Sequence, residues 1–388
     1  MTTILQTHAA RDFSCLGDAC EDTCCKGWGM QLSQETVDLY KAQAPELMDA
    51  VTSSDAGFIM KRDAVSDYCV KFDQGWCGIH KQRGASFLGD ACHFFPRVTR
   101  GVGDEVLMSI APSCPEAARL MLTLDTPFAR SLRDDARVPF SMKQYADEIS
   151  GVQMLALHDE FMDDVAAAPS AAAAMAGIMQ LAARLAMQPV AQWPSASTFY
   201  RKQIVLAAPE HHPADLLYVV SALMGLVKAG NAMHRPRLMQ VITQMANAMA
   251  LTLDWDALQA VPTDATAERL ADMRAAWQGY YAGELDGPLK RYIQMQLSLN
   301  FFPFGGIGER IDSRALIIAV RFATVQLALM SYCMVEETVP DLPAQVRIIQ
   351  SLSRFLDHLA DPTLSLAIYH EVGWHREARL NALLGVGV

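Results

Sequence analysis

Most of the cysteines lie in the first third of the chain. The 388-residue sequence contains nine cysteines, and only Cys333 follows residue 114. Thiolates are ligands of zinc and of iron–sulfur clusters, and clustered cysteines in a reducing compartment indicate metal binding or catalysis more often than disulfides. The sequence therefore predicts a metal site with eight candidate ligands: Cys15, Cys20, Cys24, Cys25, Cys69, Cys77, Cys92 and Cys114.

The spacing of these cysteines favours an iron–sulfur cluster and leaves zinc as the alternative metal. Four of them fall within eleven residues, Cys15–Cys25. Structural zinc sites usually have paired C-x2-4-C arms, which the adjacent Cys24 and Cys25 do not resemble. Cys114 precedes a proline, as a ligand does in bacterial ferredoxins. Eight sulfurs exceed one four-coordinate site, so one cluster with spare thiols, two metal sites, one larger centre and a purely structural metal all remain open.

The common cofactor-binding motifs are absent from the sequence. Radical-SAM enzymes use C-x3-C-x2-C, but the third position after Cys20 and Cys24 is Gly27. No dinucleotide-binding glycine loop after a strand, no P-loop and no His-Glu-x-x-His motif occurs. Any cofactor pocket is therefore built from other residues. His80 and His93, which follow cysteines closely, are further candidate ligands or proton carriers.

Charge and apolar patterning exclude several classes of protein. A net charge of −11 argues against a nucleic-acid-binding protein and against a polybasic membrane anchor. The N-terminus has no basic region followed by an apolar run, so we expect no secretory signal and a cytoplasmic protein. The longest apolar run, Ala315–Val335, contains Arg321 and Gln326, so we predict a buried helix there and no transmembrane segment.

Composition divides the chain into two predicted domains. Residues 1–119 are rich in Cys, Gly, Asp and Phe, whereas residues 120–388 are rich in Ala, Leu, Met and Gln at helical spacing. We predict a mainly α fold, in which a cysteine-rich metal-binding N-terminal module packs on an Ala/Leu-rich multi-helix domain. Strand signals are weak, with one short strand expected at Val106–Ile110. Helices are predicted at Glu116–Arg133, Ser141–Ala167, Ala171–Met187, Pro213–Ala229, Arg235–Leu251, Ala265–Ala282, Leu289–Asn300, Ser313–Val335, Pro343–Ala360 and Thr363–Leu384.

Several motifs resemble those of a known family. They are Phe13-x-Cys15-x4-Cys20-x3-Cys24-Cys25-x-Gly27-Trp28, Cys77-x-Ile79-His80, Cys92-x3-Pro96-Arg97, Ser113-Cys114-Pro115-Glu116-Ala117 and, far downstream, Asn300-Phe301-Phe302-Pro303-Phe304. In these segments the chain resembles the flagellin lysine-N-methylase family (FliB-type proteins), which is related to a wider group of cysteine-cluster proteins. The four residues between Cys15 and Cys20 favour the methylase branch.

The resemblance implies an activity, two cofactors and a substrate. It implies transfer of methyl groups from S-adenosyl-L-methionine (SAM) to the ε-amines of flagellin lysines in the bacterial cytosol. It also implies a [4Fe-4S] cluster held by some of the eight cysteines. Cys69 is the weakest candidate, because its separation from Cys77 is short for the family. Asn300, in the segment that looks like the family's Asn-x-x-Pro-Phe, is the candidate for cofactor binding.

Two further side chains are candidates for catalysis. A lysine ammonium must lose a proton before it attacks a sulfonium methyl group, so the site needs a desolvated amine and a nearby base or water path. Tyr281 lies near the Asn300 segment in sequence, with Tyr280, Glu284 and Asp286, and is a candidate for lining such a pocket. Arg97 is a candidate for binding a carboxylate through its guanidinium.

The predicted function is SAM-dependent methylation of protein lysines, with flagellin as partner and no nucleic acid. The alternative is a non-enzymatic protein that binds an iron–sulfur cluster or zinc, for electron transfer, metal handling or as an interaction scaffold. The helical region of about 270 residues argues against a minimal metal chaperone but does not separate a methylase from a scaffold. The oligomeric state is left open.

Overall fold

A computed structural model of the protein describes residues 3–55, 57–133, 148–212, 214–305, 310–359 and 362–385. The chain divides into two units, Met1–Gln144 (unit 1) and Tyr145–Val388 (unit 2). The domain boundary predicted after residue 119 rests on a change in amino-acid composition, and it stays a prediction.

Unit 1 combines short strands with short helices. Its strands are β1 Thr3–Thr7, β2 Gln31–Leu32, β3 Val51–Ser54, β4 Gly57–Met60, β5 Phe72–Asp73, β6 Trp76–Cys77, β7 Arg97–Val102, β8 Glu105–Ile110 and β9 Arg130–Arg133. Its helices are α1 His8–Asp12, α2 Gln34–Gln43, α3 Gly78–Arg83, α4 Asp90–Phe94 and α5 Pro115–Thr123.

The largest sheet of unit 1 has four strands in the order β7-β8-β1-β9. β7 and β8 form an antiparallel hairpin, β1 is parallel to β8, and β9 is antiparallel to β1. The hairpin turns at Gly103, whose φ of +60° is readily adopted by a residue without a Cβ. Residues 106–110 of β8 are all buried, as expected of a strand with neighbours on both sides.

The cysteine-bearing part of unit 1 has its own small core. Two small sheets, β2-β4-β3 and β5-β6, flank it. Tyr40 of α2 is fully buried and donates from its hydroxyl to the carbonyl of Phe87 at 2.7 Å. Cys25 and Cys69 lie in this core, and Cys77 and Cys92 pack against it. The thiols are therefore held by apolar packing from several elements.

The prediction of a mainly α fold holds for the chain as a whole but omits the strands of unit 1. The strand predicted at Val106–Ile110 is confirmed as most of β8. Most of the other strands contain only two to four residues. Such lengths are too short for an alternating hydrophobic pattern to stand out. A helix predicted over Glu116–Arg133 is also wrong in its second half, since α5 ends at Thr123 and residues 130–133 form β9.

The described part of unit 2 is built from helices, with one small hairpin. The helices are α6 Gly151–Ala167, α7 Ala171–Leu185, α8 Trp193–Arg201, α9 Asp215–Ala229, α10 Pro236–Ala248, α11 Thr266–Ala276, α12 Ala282–Asn300, α13 Ile311–Glu336, α14 Leu342–Leu356, α15 Thr363–Val372 and α16 Glu377–Leu384. The hairpin is β10 Leu251–Asp254 with β11 Gln259–Pro262. A π-helical turn, Trp277–Tyr281, joins α11 to α12 and is called the π turn below.

The central helix of unit 2 is α13. By length and composition it is one helix that is apolar enough to cross a membrane, but 94% of its apolar window is buried inside the protein. Helices α7, α9, α10, α12 and α14 all pack against it. The buried helix predicted for Ala315–Val335 is thus confirmed.

Local signals explain where several helices begin and end. Ser150 caps α6 in a capping box with Gln153, in which each side chain pairs with the other residue's backbone N–H. The predicted Thr363–Leu384 helix is divided in two at Gly373, whose φ of +90° ends α15. The first part of the predicted Ser141–Ala167 helix, residues 141–147, lies outside the described residues.

Candidate functional site

Four thiols from distant parts of unit 1 lie together in its small core. The N–H of Cys69 donates to the carbonyl of Cys25 at 2.8 Å, which joins two loops. Cys77 ends the β5-β6 hairpin, where it pairs with Phe72. Cys92 lies on α4, and its thiol interacts electrostatically with the other three. We call this set the first thiol group: Cys25, Cys69, Cys77 and Cys92.

Hydrogen bonding and burial favour the protonated form of these thiols. A hydrogen bond to Cys24, together with burial, raises the pKa of Cys25 to about 12, although a hydrogen bond to Cys77 acts in the opposite direction. The Cys25 contact and burial raise the pKa of Cys77 well above that of an ordinary thiol. Burial is the main cause of the raised pKa of Cys92 and of Cys69. Each neighbouring thiolate would add repulsion, so several anions are unfavourable here without a cation.

A second thiol group consists of the remaining candidates: Cys15, Cys20 and Cys114. Arg119 forms ion pairs with Glu21 and with Glu116, and so ties the segment after Cys20 to the first turn of α5, next to Cys114. Burial raises the pKa of Cys114 to about 12 and is also the main cause of the raised pKa of Cys20. The eight predicted ligands therefore form two sets, with Cys24 adjoining the first.

The thiol groups match a thiolate-bound cofactor in chemistry but not in coordination geometry. All nine cysteines, each within the described residues, are free thiols. Across the described ranges, no three His, Cys, Asp or Glu side chains are arranged to hold a metal ion. The first thiol group nevertheless offers four sulfur donors, the number that a zinc site or a [4Fe-4S] cluster takes. Its thiols hydrogen-bond to one another instead, so the metal site stays a prediction.

Aromatic side chains surround the cysteine segments. The indole Nε1 of Trp28 donates to the carbonyl of Cys24 at 2.6 Å, and the ring lies 6.1 Å from that of Phe95. The ring of Trp76 lies 5.8 Å from that of His80 in an edge contact. The side chain of Trp28 also packs against the small core that holds the first thiol group.

The two histidines near cysteines have different surroundings. His93 of α4 has its Nδ1 3.0 Å from the carbonyl of Ala85 and stacks edge-on against Phe94. His80 packs against Trp76. Nδ1 of His93 is therefore engaged by a backbone carbonyl, which leaves this nitrogen unavailable to a ligand.

Arg97 hydrogen-bonds to the backbone of the segment that precedes the first cysteine. Its Nε donates to the carbonyl of Ala10 and its Nη2 to the carbonyl of Phe13, both at 3.0 Å. The guanidinium also lies 5.0 Å from the centre of the Phe13 ring. These contacts position the chain that leads into Cys15, and the carboxylate-binding role predicted for Arg97 is untested.

The Asn300 segment forms a buried turn at the end of α12. The Nδ2 of Asn300 donates to the carbonyl of Gln296 at 2.8 Å, and Phe301 takes the left-handed conformation that ends the helix. The carbonyl of Phe302 lies 2.8 Å from Nδ1 of the buried His158. The side chain of Asn300 bonds to its own helix, and the cofactor contact predicted for it stays a prediction.

Tyr281 lies at the end of the π turn and is half-buried. Its ring contacts that of Tyr280 edge-on, with 5.2 Å between ring centres. Desolvation is the main cause of the raised pKa of Tyr281, with smaller contributions from Cys333 and Glu337. The hydroxyl is therefore a neutral hydrogen-bonding group near pH 7 rather than a base.

Sequence reasoning missed a buried polar network between α13 and α14. Arg321 and Asp357 form an ion pair at 2.9 Å whose side chains are 4% and 2% exposed. Gln296 donates to the same carboxylate at 3.1 Å, and the hydroxyl of Tyr292 is buried nearby. The signal was Arg321 itself, an arginine inside an apolar run, which requires a buried acidic partner.

Sequence comparison finds three distant relatives in Salmonella. This chain is 28% identical to the flagellar biosynthetic protein FliU of Salmonella muenchen over 130 residues. The matched segment makes up 31% of this chain and 77% of FliU. The same identity and length hold for the lysine-N-methylases of Salmonella choleraesuis and Salmonella typhimurium. The relationship is distant. The match spans only 32% of each lysine-N-methylase.

Comparisons with family models and with solved structures find no match.

Proposed function

We propose that this chain is a protein-lysine N-methyltransferase that takes its methyl group from SAM and acts on flagellin. The observation that carries the proposal is the similarity to two lysine-N-methylases. The name of the third relative, a flagellar biosynthetic protein, supports a flagellar substrate. The acidic chain, with a net charge of −11, also suits a lysine-bearing partner.

The proposal includes a [4Fe-4S] cluster in unit 1, with zinc as the alternative metal. The first thiol group supplies four sulfur donors in or against an apolar core, against which Trp28 also packs. When bound, such a cluster supplies an electron-accepting centre whose potential depends on burial and on hydrogen bonds to its sulfurs. Its binding would remove the thiol protons and with them the mutual hydrogen bonds of Cys25 and Cys77.

The lysine must reach the methyl donor as a neutral amine. Desolvation of the ammonium lowers its pKa and favours loss of the proton. In the proposal, Tyr281 accepts or donates a hydrogen bond at the amine as a neutral phenol, while water or a nearby carboxylate such as Glu284 receives the proton. Both side chains belong to the π turn or the first turn of α12.

A methyl-transfer assay tests the proposal. The full chain, purified without oxygen, is incubated with monomeric flagellin and SAM labelled in its methyl group, and flagellin is hydrolysed for amino-acid analysis. We expect label in methylated lysine, and none when the flagellin lysines have first been acetylated. Absence of label from lysine with metal-replete protein would contradict the proposal and favour the non-enzymatic metal-binding protein.

A further inference from the structure

The π turn and the first half of α12 present an exposed aromatic face. Tyr280 is 61% exposed, although a tyrosine ring is usually at least half covered in a folded protein. Its ring is held edge-on against that of Tyr281, so the pair has a defined arrangement. A π turn adds a residue to the helical turn and occurs frequently at functional sites.

Three exposed glycines recur at helical spacing beside the tyrosine pair. Gly279, Gly283 and Gly287 are four residues apart, and all three are exposed. Glycine is among the least favourable residues inside a helix. A Cβ added at any of the three would meet no atom within 4 Å, so packing against the described chain does not require glycine there. The missing Cβ atoms leave space in which another polypeptide backbone can approach the helix closely.

Carboxylates border the tyrosine pair. Glu284 follows Tyr280 by one helical turn and is exposed. Glu336 and Glu337 lie at the exposed end of α13, and Glu337 interacts electrostatically with Tyr281. Neither Glu336 nor Glu337 forms an ion pair with any residue that the structure describes. We call this surface the Tyr–Glu face: Tyr280, Tyr281, Glu284, Glu336 and Glu337.

We propose that the Tyr–Glu face docks the lysine-bearing segment of the protein substrate. The inference rests on the proposed lysine methylation and names the surface that recognises its substrate. An ammonium group is attracted both to the face of an aromatic ring and to a carboxylate. The exposed glycines leave room for the backbone of the bound segment to lie against the helix. An extended lysine-bearing loop combines these features, whereas a nucleic acid would be repelled by the carboxylates.

A binding assay separates this proposal from the methylation chemistry. The probe is a fluorescein-labelled Gly/Ser peptide that carries lysines, and its anisotropy is followed on titration with the full chain, without SAM. We expect Kd to rise about tenfold for Tyr280→Ala/Tyr281→Ala and for Glu336→Gln/Glu337→Gln. The matched control is Glu210→Gln/Glu371→Gln, which removes two exposed carboxylates elsewhere on unit 2. We expect the control to leave Kd unchanged, and acetylation of the peptide lysines to abolish binding.

The first three of the following outcomes would overturn the docking proposal, and the fourth would overturn only the methylase function. One is an unchanged Kd in both face variants, with circular dichroism showing that they fold. A second is a wild-type chain whose monomer–dimer equilibrium depends on Tyr280 and Tyr281, because the face would then bind a second copy. If wild type methylates flagellin while the face variants bind the peptide normally, docking fails and the methylase function stands. If the face variants lose the peptide while wild type transfers no methyl group, the methylase function fails and the cation-binding face stands.

Discussion

At the scale of single residues, the thiols of unit 1 show why a cation is expected among them. Cys25 and Cys77 share a hydrogen bond, which requires that at least one of them keeps its proton. A hydrogen bond to Cys24 raises the pKa of Cys25, a hydrogen bond to Cys25 raises that of Cys77, and burial raises both further. Four thiolates in this apolar core would repel one another, and a metal ion or cluster is the ordinary means of compensating that charge.

Gly17 gives a prediction about the loop between Cys15 and Cys20. Its φ is +61°, and a Cβ there would lie 2.8 Å from Cε2 of Trp76. We expect Gly17→Ala to lower the free energy of unfolding by about 1–3 kcal/mol, through backbone strain and displacement of the indole. The matched control is Gly29→Ala, where a Cβ meets no atom within 4 Å. Urea unfolding measures both, and equal stabilities of the two variants would contradict this explanation.

Cys333 gives a prediction about pH. Burial raises the pKa of this thiol to about 12, from an ordinary value of 9.0. The folded chain therefore keeps the proton in a pH range where the unfolded chain releases it, and the stability due to the neutral thiol is lost as pH rises above about 9. We expect the stability of wild type relative to Cys333→Ala to fall between about pH 8 and pH 11. Urea unfolding at both pH values checks this, and a constant difference would be inconsistent with it.

At the scale of elements, helices were predictable and the strands of unit 1 largely were not. The 3.6-residue repeat of apolar side chains indicated α7, α9, α10 and α13 close to their observed bounds. The apolar run from Leu120 to Leu124 fits the helical repeat, so the repeat predicted a helix that continues beyond the observed end of α5. A local repeat carries no information about which distant residues the chain pairs with. The β5-β6 hairpin of two-residue strands depends on contacts with the cysteine loops, which no local pattern encodes.

The buried pair between α13 and α14 gives a prediction at this scale. Arg321→Met leaves the carboxylate of Asp357 buried without its cation, so we expect a loss of about 3–5 kcal/mol of unfolding free energy. The double variant Arg321→Met/Asp357→Leu removes both charges and should recover most of that loss. Arg347→Met, at an exposed position of α14, is the control. Denaturant unfolding measures all three, and a double variant as unstable as the single one would contradict the explanation.

At the scale of the whole molecule, the candidate site was predictable in residue type but not in grouping. The sequence showed eight cysteines in the first 114 residues. It did not show that Cys25, Cys69, Cys77 and Cys92 form one group and Cys15, Cys20 and Cys114 another. That division depends on the backbone hydrogen bond from Cys69 to Cys25 and on the ion pairs of Arg119, which are tertiary contacts. The Tyr–Glu face likewise depends on the end of α13 lying near the π turn.

The claim that the first thiol group ligates an iron–sulfur cluster is tested most directly by metal analysis. Iron, acid-labile sulfide and zinc are measured on the full chain after purification without oxygen, together with its visible spectrum. We expect about four irons and four sulfides per chain, retained in Cys333→Ser and lost in Cys25→Ser/Cys77→Ser. Stoichiometric zinc without sulfide, or iron and sulfide that persist when Cys25 and Cys77 are both replaced, would contradict the account.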